Sequence, residues 1–508
     1  MVTQYPTPFR RFLITVPSMV ASTMVAVDIT IANVALPHMQ ASLSASQEQV
    51  LWVLTSYLVA GAIATPLSGW LAGRLGRKLV MVVSVAGFTL ASAMCGLATD
   101  LQTIVIARFL QGACGAALIP LSQAILLDIN PPEDHAKAMA IFALGSMAGP
   151  IIGPTLGGYL TDALSWRWVF FINVPFGVVS FLGMIAFLYE TRNEARHKFD
   201  MFGFVALAVA LAAFQLMLDR GEHLDWFDSP EIQVYAAIAF LGFYLSLVHM
   251  FTARGTFIPP ELFADRNFAI GSIFSVLIGM VAFATIPMIV VMTQTLLGYS
   301  AFQTGMIGLP RAIGTLVAML LVTRLVAYID IRALLIVGLT ITGFSMLMYS
   351  WMDLFVDGHA LLVAGFVQGV GGGLMFVPLS VIVFSTLPQH MRNEGAAMYS
   401  LTRNVGNAIG ISALQYQYVH YVAGSRAGLV EGVRPDNPVL QLRQPDFDFG
   451  SVEALARMNA QIIRQASMVG NIEIYHLVFL MALAMVPLVL FMRTGRKAAD
   501  GAPLPMGE

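Results

Sequence analysis

The sequence predicts an all-α polytopic membrane protein, on the basis of its composition, its long apolar segments and an internal repeat. Of its 508 residues, 57% are hydrophobic and only 11% are charged, and the mean hydropathy is +0.77. This balance is typical of chains that cross a bilayer many times. The net charge of -2 argues against a nucleic-acid partner.

A membrane crossing needs about 20 predominantly apolar residues, and fourteen segments of the chain meet that requirement. Their approximate limits are 12–37, 50–71, 78–98, 101–127, 137–162, 167–189, 200–219, 231–252, 268–294, 303–323, 333–351, 359–387, 395–422 and 472–492. Arg10 and Arg11 precede the first segment, which is too long for the core of a signal peptide and is therefore expected to remain as the first span.

The distribution of Lys and Arg predicts the orientation of these spans. An even number of spans places both termini on one side, and seventeen of the 27 basic residues fall in connections on that side. Connections rich in Lys and Arg stay in the cytoplasm. Both termini are therefore predicted to be cytoplasmic.

An internal repeat divides the chain into two related halves. A shift of 257 residues places Gln111 and Gly112 on Gln368 and Gly369, whereas Arg108 falls on Gly365. Matching spans are eight spans apart rather than six. We therefore expect a six-span half at 1–199, two additional spans at 200–252, and a second six-span half at 253–508.

The segment at about 424–470 is the one long stretch without membrane character. Its first part is rich in Pro and charge and is predicted to be a polar loop, and its second part, SVEALARMNAQIIRQASMVG, has the apolar spacing of an amphipathic helix. Two interpretations stay open for that helix, which could lie on the bilayer surface or contact a periplasmic partner.

A glycine stripe marks the fifth span, in the sequence GSMAGPIIGPTLGGYL. Gly145, Gly149, Gly153 and Gly157 recur every fourth residue, so a helix would carry a groove without side chains that another helix could approach closely. Pro150 and Pro154 follow one position behind Gly149 and Gly153, and Gly158 follows Gly157 in the same motif. Interior prolines are tolerated in a membrane helix because neighbouring helices satisfy the freed backbone groups. A generic packing surface is the simpler alternative to a functional motif.

Asp28 is the only acidic residue deep inside a predicted span. A carboxylate inside a bilayer costs several kcal/mol unless it is paired, hydrated or protonated, so it is a candidate for proton traffic. The alternative is a structural acid capped by Thr30 or Asn33. Arg108 begins a helical face shared with Gln111 and is the candidate cation for the same site. Its structural alternative is an arginine bonded to backbone carbonyls.

Several polar side chains inside spans are expected to line a substrate cavity. They are Asn33, Tyr57, Gln111, Arg311, Arg403 and Asn407. Arg311 and Arg403 could meet an anionic substrate or Asp28, or could tie helix ends together, and the sequence does not favour either interpretation.

A short basic segment, GWLAGRLGRK, joins the second and third predicted spans. Gly69 and Gly76 permit a tight turn, and Arg74, Arg77 and Lys78 can face the anionic lipid surface.

These segments resemble motifs of the major facilitator superfamily. GPIIGPTLGG is similar to the antiporter motif of its drug exporters, which is taken to join the two halves, and RFLQGACGAA is similar to a fourth-helix motif associated with proton coupling. The basic segment resembles the superfamily's loop motif GxLaDrxGrk, except that Gly73 stands at the acidic position, which puts the usual charge latch in doubt.

Three further stretches resemble the fourteen-span drug:proton antiporters within that superfamily. They are VDITIANVALP, WRWVFFINVPFG and DRGEHLDWFDSPEI, the last being similar to EmrB-type pumps of tripartite efflux systems. The resemblance implies a major facilitator fold with 14 transmembrane helices and proton-coupled export of lipophilic or amphipathic toxic compounds, with Asp28 and Arg108 as the coupling residues. It also implies a Gram-negative inner membrane, a periplasmic EmrA-like adaptor and an outer-membrane channel.

Other function classes receive less support from the sequence. It contains no GxxxxGK[ST] nucleotide loop, no cluster with metal-ligand spacing and no nucleophile elbow, so we expect no enzyme activity, no metal and no cofactor, with a proton gradient as the energy source. The nearest alternative is a major facilitator transporter of a specific organic anion or a nutrient. A channel or a membrane enzyme is a more distant one.

Overall fold

The computed structural model describes residues 5–131, 134–189, 200–221, 224–253, 256, 258–325, 328–387, 392–443 and 447–492. All regular elements of these residues are helices. The α-helices are α1 (Pro8–Ser42), α2 (Gln47–Leu75), α3 (Arg77–Leu97), α4 (Leu101–Gly115), α5 (Leu118–Ile129), α6 (His135–Ala163), α7 (Trp168–Phe171), α8 (Asn173–Phe187), α9 (Met201–Gly221), α10 (Pro230–Thr252), α11 (Glu261–Ala264), α12 (Arg266–Ile278), α13 (Thr285–Val291), α14 (Ala301–Leu325), α15 (Ile331–Ser350), α16 (Gly358–Ser385), α17 (Arg392–Glu431), α18 (Pro438–Arg443) and α19 (Val452–Val489). A 3₁₀ turn covers Trp226–Asp228, and π-helical segments cover Gly279–Phe283 and Met292–Leu296.

Within the described residues, eleven helices are long and apolar enough to cross a membrane, or twelve when the bent pair Gln49–Thr65 and Leu67–Leu75 counts as one span. The chain is therefore a multi-pass membrane protein. The helices α6 and α17 lie where two more spans are expected. The full count of fourteen stays a prediction.

Local sequence explains where these helices begin and end. Pro8 occupies the first turn of α1, where its missing N–H costs nothing. Asp100 caps α4 by accepting the Thr103 backbone N–H at 2.8 Å. Gly76 ends α2 and begins α3 at φ 97°, a backbone conformation that favours glycine.

The buried apolar side chains form separate clusters along the chain. Two clusters use residues between Ile14 and Leu188, and the largest uses residues between Leu262 and Met492. The helices α9 and α10 pack on one another, and α9 also contacts α2 and α17. The proposed boundary at 199/200 adjoins residues outside the described ranges, and the division into halves stays a prediction.

The ends of the long helices lie at two faces of the bundle. We call the face where α1 begins the terminal end, and the face that carries the connection between α17 and α19 the loop end. The structure corrects the expected polar loop at 424–470, because α17 continues to Glu431, α18 forms within the connection, and α19 begins at Val452. The amphipathic segment is the first part of the continuous 38-residue helix α19, not a separate helix lying on the bilayer.

Candidate functional site

A buried ion pair joins α1 to α4 inside the first half of the chain. Asp28 is 0% exposed and Arg108 is 1% exposed. Arg108 Nη1 donates to Asp28 Oδ2 over 2.6 Å. Removing two charges from water is costly, so such a pair persists only when further hydrogen bonds satisfy its remaining atoms.

The second oxygen of Asp28 accepts two amide groups. Gln111 Nε2 and Asn173 Nδ2 each donate to Asp28 Oδ1 over 2.8 Å. Both Asp28 oxygens therefore face donors, and no described group accepts a hydrogen bond from either oxygen. This arrangement matches an ionised carboxylate, because an ionised carboxylate only accepts hydrogen bonds.

Neighbouring groups fix the orientation of both amides. Gln111 Oε1 accepts Arg108 Nη1 at 2.9 Å and the Cys95 thiol at 3.6 Å, which directs its nitrogen toward Asp28. Asn173 Nδ2 also donates to Ser92 Oγ at 3.0 Å, and Ser92 in turn donates to the carbonyl of Phe170 at 2.9 Å. The network thus links α1, α3, α4, α7 and α8.

The helix α2 holds the guanidinium of Arg108 from a second side. Arg108 Nε donates to the Val53 carbonyl at 3.0 Å, and its carbon Cζ lies 4.2 Å from the centroid of the Tyr57 ring. A Cβ at Gly112 would collide with the Tyr57 backbone, so only glycine allows α4 to approach α2 this closely. The arginine is therefore bonded to a backbone carbonyl, as its structural alternative expected, and is also paired with the carboxylate.

The structure confirms neither proposed cap of Asp28. Thr30 Oγ1 donates to backbone carbonyls at Ala26, Val27 and Gly149, and Asn33 Nδ2 donates to the Ile29 carbonyl. The capping interpretation was wrong, because the Asp28 oxygens accept hydrogen bonds from Arg108, Gln111 and Asn173 instead.

The residues expected to line a substrate cavity lie in two different environments. Tyr57 and Gln111 are buried around Asp28, at 5% and 0% exposure, rather than open to a cavity. Asn33, Arg311, Arg403 and Asn407 are half-buried. Arg311 Nη2 donates to the Ala282 carbonyl at 3.2 Å, and Asn407 Oδ1 is buried without a partner among the described residues.

Sequence analysis missed Asn173 and Ser92 as members of the network. Asn173 lies within WRWVFFINVPFG, where a polar amide stands in an otherwise apolar run, and that contrast was an available signal. Ser92 gives little such signal, because a serine in a membrane helix commonly bonds its own backbone.

The glycine stripe of α6 packs against α1, within the same half. A Cβ at Gly149 would collide with Ala26, and one at Gly153 would collide with the Thr30 hydroxyl. Two side-chain hydrogen bonds reinforce the contact, from Thr23 Oγ1 to the Gly145 carbonyl and from Thr30 Oγ1 to the Gly149 carbonyl, each at 3.0 Å. The expected close approach of another helix is confirmed, and that helix carries Asp28.

An adjacent face of α6 contacts α14 from the second half at the loop end. A Cβ at Gly158 would collide with the backbone of Ala301 and Phe302, and one at Gly305 would collide with the backbone of Pro154. Asp162 Oδ2 accepts the Phe302 N–H at 2.9 Å. For Pro150, only its place in α6 is described. We call the contact between α6 and α14 the loop-end contact.

A small cleft lies at the loop end, between α1, α2, α13 and α17. Its volume is about 70 Å³. Gln294 Nε2 bridges the halves nearby by donating to the Val34 carbonyl at 3.2 Å. The two halves are thus tightly joined at the loop end.

The basic segment between α2 and α3 is tied to its own half at the terminal end. Arg77 forms an ion pair with Asp128 at the end of α5, and Lys78 Nζ donates to the Ile185 carbonyl of α8 at 2.8 Å. Arg74 stacks over the Trp70 ring at 5.2 Å. A Cβ at Gly69 or Gly73 would meet open space, and the carboxylate that the segment contacts is that of Asp128 in α5.

None of the described residues form a group of His, Cys, Asp or Glu side chains suited to a metal ion. The Asp28 network instead offers hydrogen-bond donors and one carboxylate.

Comparison with known proteins places this geometry in a family context. The sequence profile of the Major Facilitator Superfamily matches residues 18–411. The multidrug export protein EmrB of Haemophilus influenzae is 31% identical over 92% of this chain and 92% of its own length. The fatty acid resistance protein FarB of Neisseria gonorrhoeae is 32% identical over 92% and 93%, respectively.

Solved structures share the fold. A bacterial homologue of the human lysosomal transporter Spinster, in an inward-facing and unoccupied conformation, aligns with a TM-score of 0.63 at 18% identity. The alignment covers 97% of this chain and all of that structure. At this identity the likeness concerns the fold alone.

Proposed function

Because this chain belongs to the major facilitator superfamily, we propose that it is a proton-coupled antiporter that exports lipophilic or amphipathic toxic compounds. The resemblance found in the sequence motifs is confirmed by the family match and by the relatives. Two of those relatives are named for multidrug export and for fatty acid resistance, which supports a transporter of small apolar compounds.

The single observation that carries proton coupling is the donor arrangement around Asp28. Arg108, Gln111 and Asn173 all donate to its oxygens. A proton on either oxygen would displace a donor and weaken the attraction to Arg108. Protonation therefore loosens the link between α1 and the helices α4 and α8, and proton release restores it.

We propose that this change is transmitted through the contact between α1 and α6. The helix α6 holds α1 through its glycine stripe and holds α14 through the loop-end contact. A shift of α1 thus acts on the helix that joins the halves. Opening of the loop-end contact would then expose the substrate on that side, as expected for two halves, 1–199 and 253–508, that rock about a central cavity.

The proposed setting is a bacterial inner membrane with both termini in the cytoplasm, which places the loop end in the periplasm. The helix α17 has 40 residues and is about 60 Å long, whereas the apolar core of a bilayer is about 30 Å thick. Such a length supports helices α17 and α19 projecting beyond the membrane. We propose a periplasmic EmrA-like adaptor and an outer-membrane channel as partners.

A transporter of one specific organic anion is the second candidate. The observation that favours it is the pair of half-buried cations Arg311 and Arg403 in the second half. Arg311 belongs to α14, and helices α12 to α16 contain no Asp or Glu. The two candidates differ in substrate range and not in fold.

Purified protein in liposomes, without ATP, tests the proposed function. With a pH gradient imposed, a fluorescent lipophilic cation should move against its own gradient, and an entrapped pH indicator should report proton movement in the opposite direction. Export that persists when nigericin has removed the pH gradient would contradict proton coupling. Movement of a single anionic compound only would favour the second candidate.

A further inference from the structure

The second half of the chain contains a counterpart of the Asp28 network. A shift of 257 residues places Asp28 on Thr285 and Gln111 on Gln368. The hydrogen bond is kept, because Gln368 Nε2 donates to Thr285 Oγ1 at 3.3 Å, as Gln111 Nε2 donates to Asp28 Oδ1. Gln368 is 3% exposed. The hydrogen-bonded pair is thus present in both halves, but Thr285 stands in place of the carboxylate in the second half.

The cation of the second half comes from a different helix. Gly365 stands where Arg108 would be repeated, and a Cβ there would lie 3.5 Å from Tyr349 Oη and 3.8 Å from Arg311 Cβ. Arg311 belongs to α14, which repeats α2 rather than α4. The arginine therefore borders the equivalent position from the neighbouring helix.

Arg311 has no carboxylate partner in the described part of the chain. Its one described side-chain hydrogen bond goes to the Ala282 carbonyl, and a guanidinium has five N–H donors. Arg108, in contrast, is fully buried and paired with Asp28. Arg311 is half-buried, and its charge has no compensating carboxylate among the described residues.

Gln368 contributes an unused polar atom on the neighbouring helix α16. Its Oε1 is buried without a partner among the described residues, and leaving a buried polar atom unpaired is energetically unfavourable. Gln368 lies one turn of α16 from Gly365, which borders Arg311. If the amide turned over, Oε1 would accept the Thr285 hydroxyl in place of the Val281 carbonyl, which accepts that hydroxyl at 3.4 Å, and Nε2 would become free to donate to an anion.

We propose that Arg311 and Gln368 bind the carboxylate of a lipophilic substrate, which makes the second half the anion-binding part of the cavity. This inference rests on the proposed export function and deepens it. Arginine suits the role because its planar donors match a carboxylate in two parallel hydrogen bonds. The purely structural alternative is that Arg311 serves only to satisfy the Ala282 carbonyl in the π-helical segment Gly279–Phe283.

Two probes that share the same apolar skeleton distinguish carboxylate binding by Arg311 from its purely structural role. Pyrenebutyrate carries a carboxylate, and a pyrenebutyl trimethylammonium salt carries a cation of similar size. Binding of each to the purified full chain is measured by fluorescence. For Arg311→Gln we expect at least tenfold weaker binding of pyrenebutyrate and unchanged binding of the cation. Arg311→Lys should recover part of the loss, because it keeps the charge without the planar donors.

Two further variants guard against a folding defect. Gln368→Glu keeps Arg311 but places a carboxylate beside it, and should also weaken pyrenebutyrate binding at least tenfold. Arg324→Gln removes an exposed cation at the far end of α14 and serves as the matched control, with both probes unaffected. Elution as a single species in gel filtration verifies each variant.

The outcomes distinguish the inference from the proposed function. Pyrenebutyrate binding that is equal in Arg311→Gln and wild type, or absent from wild type, overturns the inference even when gradient-driven export of the cation is intact. Anion binding that depends on Arg311 while wild type shows no gradient-driven export supports the inference and overturns the proposed function. A loss of both probes in Arg311→Gln supports the structural role of Arg311 and also overturns the inference.

Discussion

Arg108 of α4 donates to Asp28 of α1 over 2.6 Å, although 80 residues separate them in sequence. The pair lies wholly among helices of the first half, with Gln111 and Asn173 completing the shell of the carboxylate. Proton binding at Asp28 would therefore act first on the packing of α1, and only through α1 on the contact between the halves.

Removal of one member of the ion pair should destabilise the protein strongly. Arg108→Gln leaves Asp28 buried without its cation, which costs about 3–5 kcal/mol. We expect a lower unfolding temperature in detergent for this variant and a partial recovery in the double variant Arg108→Gln with Asp28→Asn, because neither charge then remains alone.

A matched control for this measurement is Arg457→Gln, which removes an exposed ion pair with Glu453. Exposed pairs contribute about 0–1 kcal/mol, so its unfolding temperature should barely change. If the loss of stability in the double variant, relative to wild type, equalled the sum of the losses in the two single variants, the two residues would not act as a pair.

The glycine stripe of α6 should tolerate no side chain where α1 approaches. Gly153→Val would place two methyl groups against Thr30 and force α1 away, which costs about 1–3 kcal/mol. We expect transport to be lost with the protein still in the membrane. Gly73→Ala, at a site that opens to free space, should transport as wild type does. Normal transport by Gly153→Val would show that this contact is dispensable.

The loop-end contact should open during each transport cycle. A cysteine pair at Asp162 and Phe302, in a Cys114→Ala background, can be joined by a short reagent that forms a disulfide with each thiol, because the two residues touch. Joining should stop transport, and reductive cleavage of the link should restore it. The pair Asp162→Cys with Tyr328→Cys is the control, since α14 extends for about 35 Å from Phe302 to Leu325, Tyr328 follows that end, and no link should form. Undiminished transport by the joined protein would contradict alternating access at this contact.

The sequence identified much of this architecture because the bilayer imposes strict rules. Long apolar runs and a half-to-half repeat predicted a helical membrane protein, and Asp28 and Arg108 were noticeable as rare charges inside spans. Gln111 was associated with Arg108 by its helical spacing. The glycine stripe predicted that another helix would approach α6, although not which one.

Other features depended on tertiary contacts that no local pattern contains. Asn173 joins Asp28 from 145 residues away, and only the packing of α8 on α1 and α3 brings them together. Tyr57 and Gln111 were expected in an open cavity, but the close approach of α4 to α2 at Gly112 buries both. The extent of α17 and α19 was underestimated because their polar outer turns lack the hydropathy by which spans are recognised.

The exchange of Asp28 for Thr285 between the halves shows why the repeat alone is an incomplete guide. It located the counterpart of each residue but did not indicate that Arg311, on another helix, borders the equivalent position. Arg311 borders this position from α14 because Gly365 has no side chain there. That closeness is visible only in the three-dimensional structure.

The most direct test of the central claim uses Asp28→Asn in inside-out vesicles, with uptake of a fluorescent lipophilic cation driven by an imposed pH gradient. The exposed acid variant Asp100→Asn is the control, and gradient-independent exchange of the cation verifies that the variant is folded and binds substrate. We expect gradient-driven uptake by Asp28→Asn to fall at least tenfold while exchange continues. Gradient-driven uptake by Asp28→Asn equal to that of wild type would contradict the assignment of Asp28 as the proton-coupling residue.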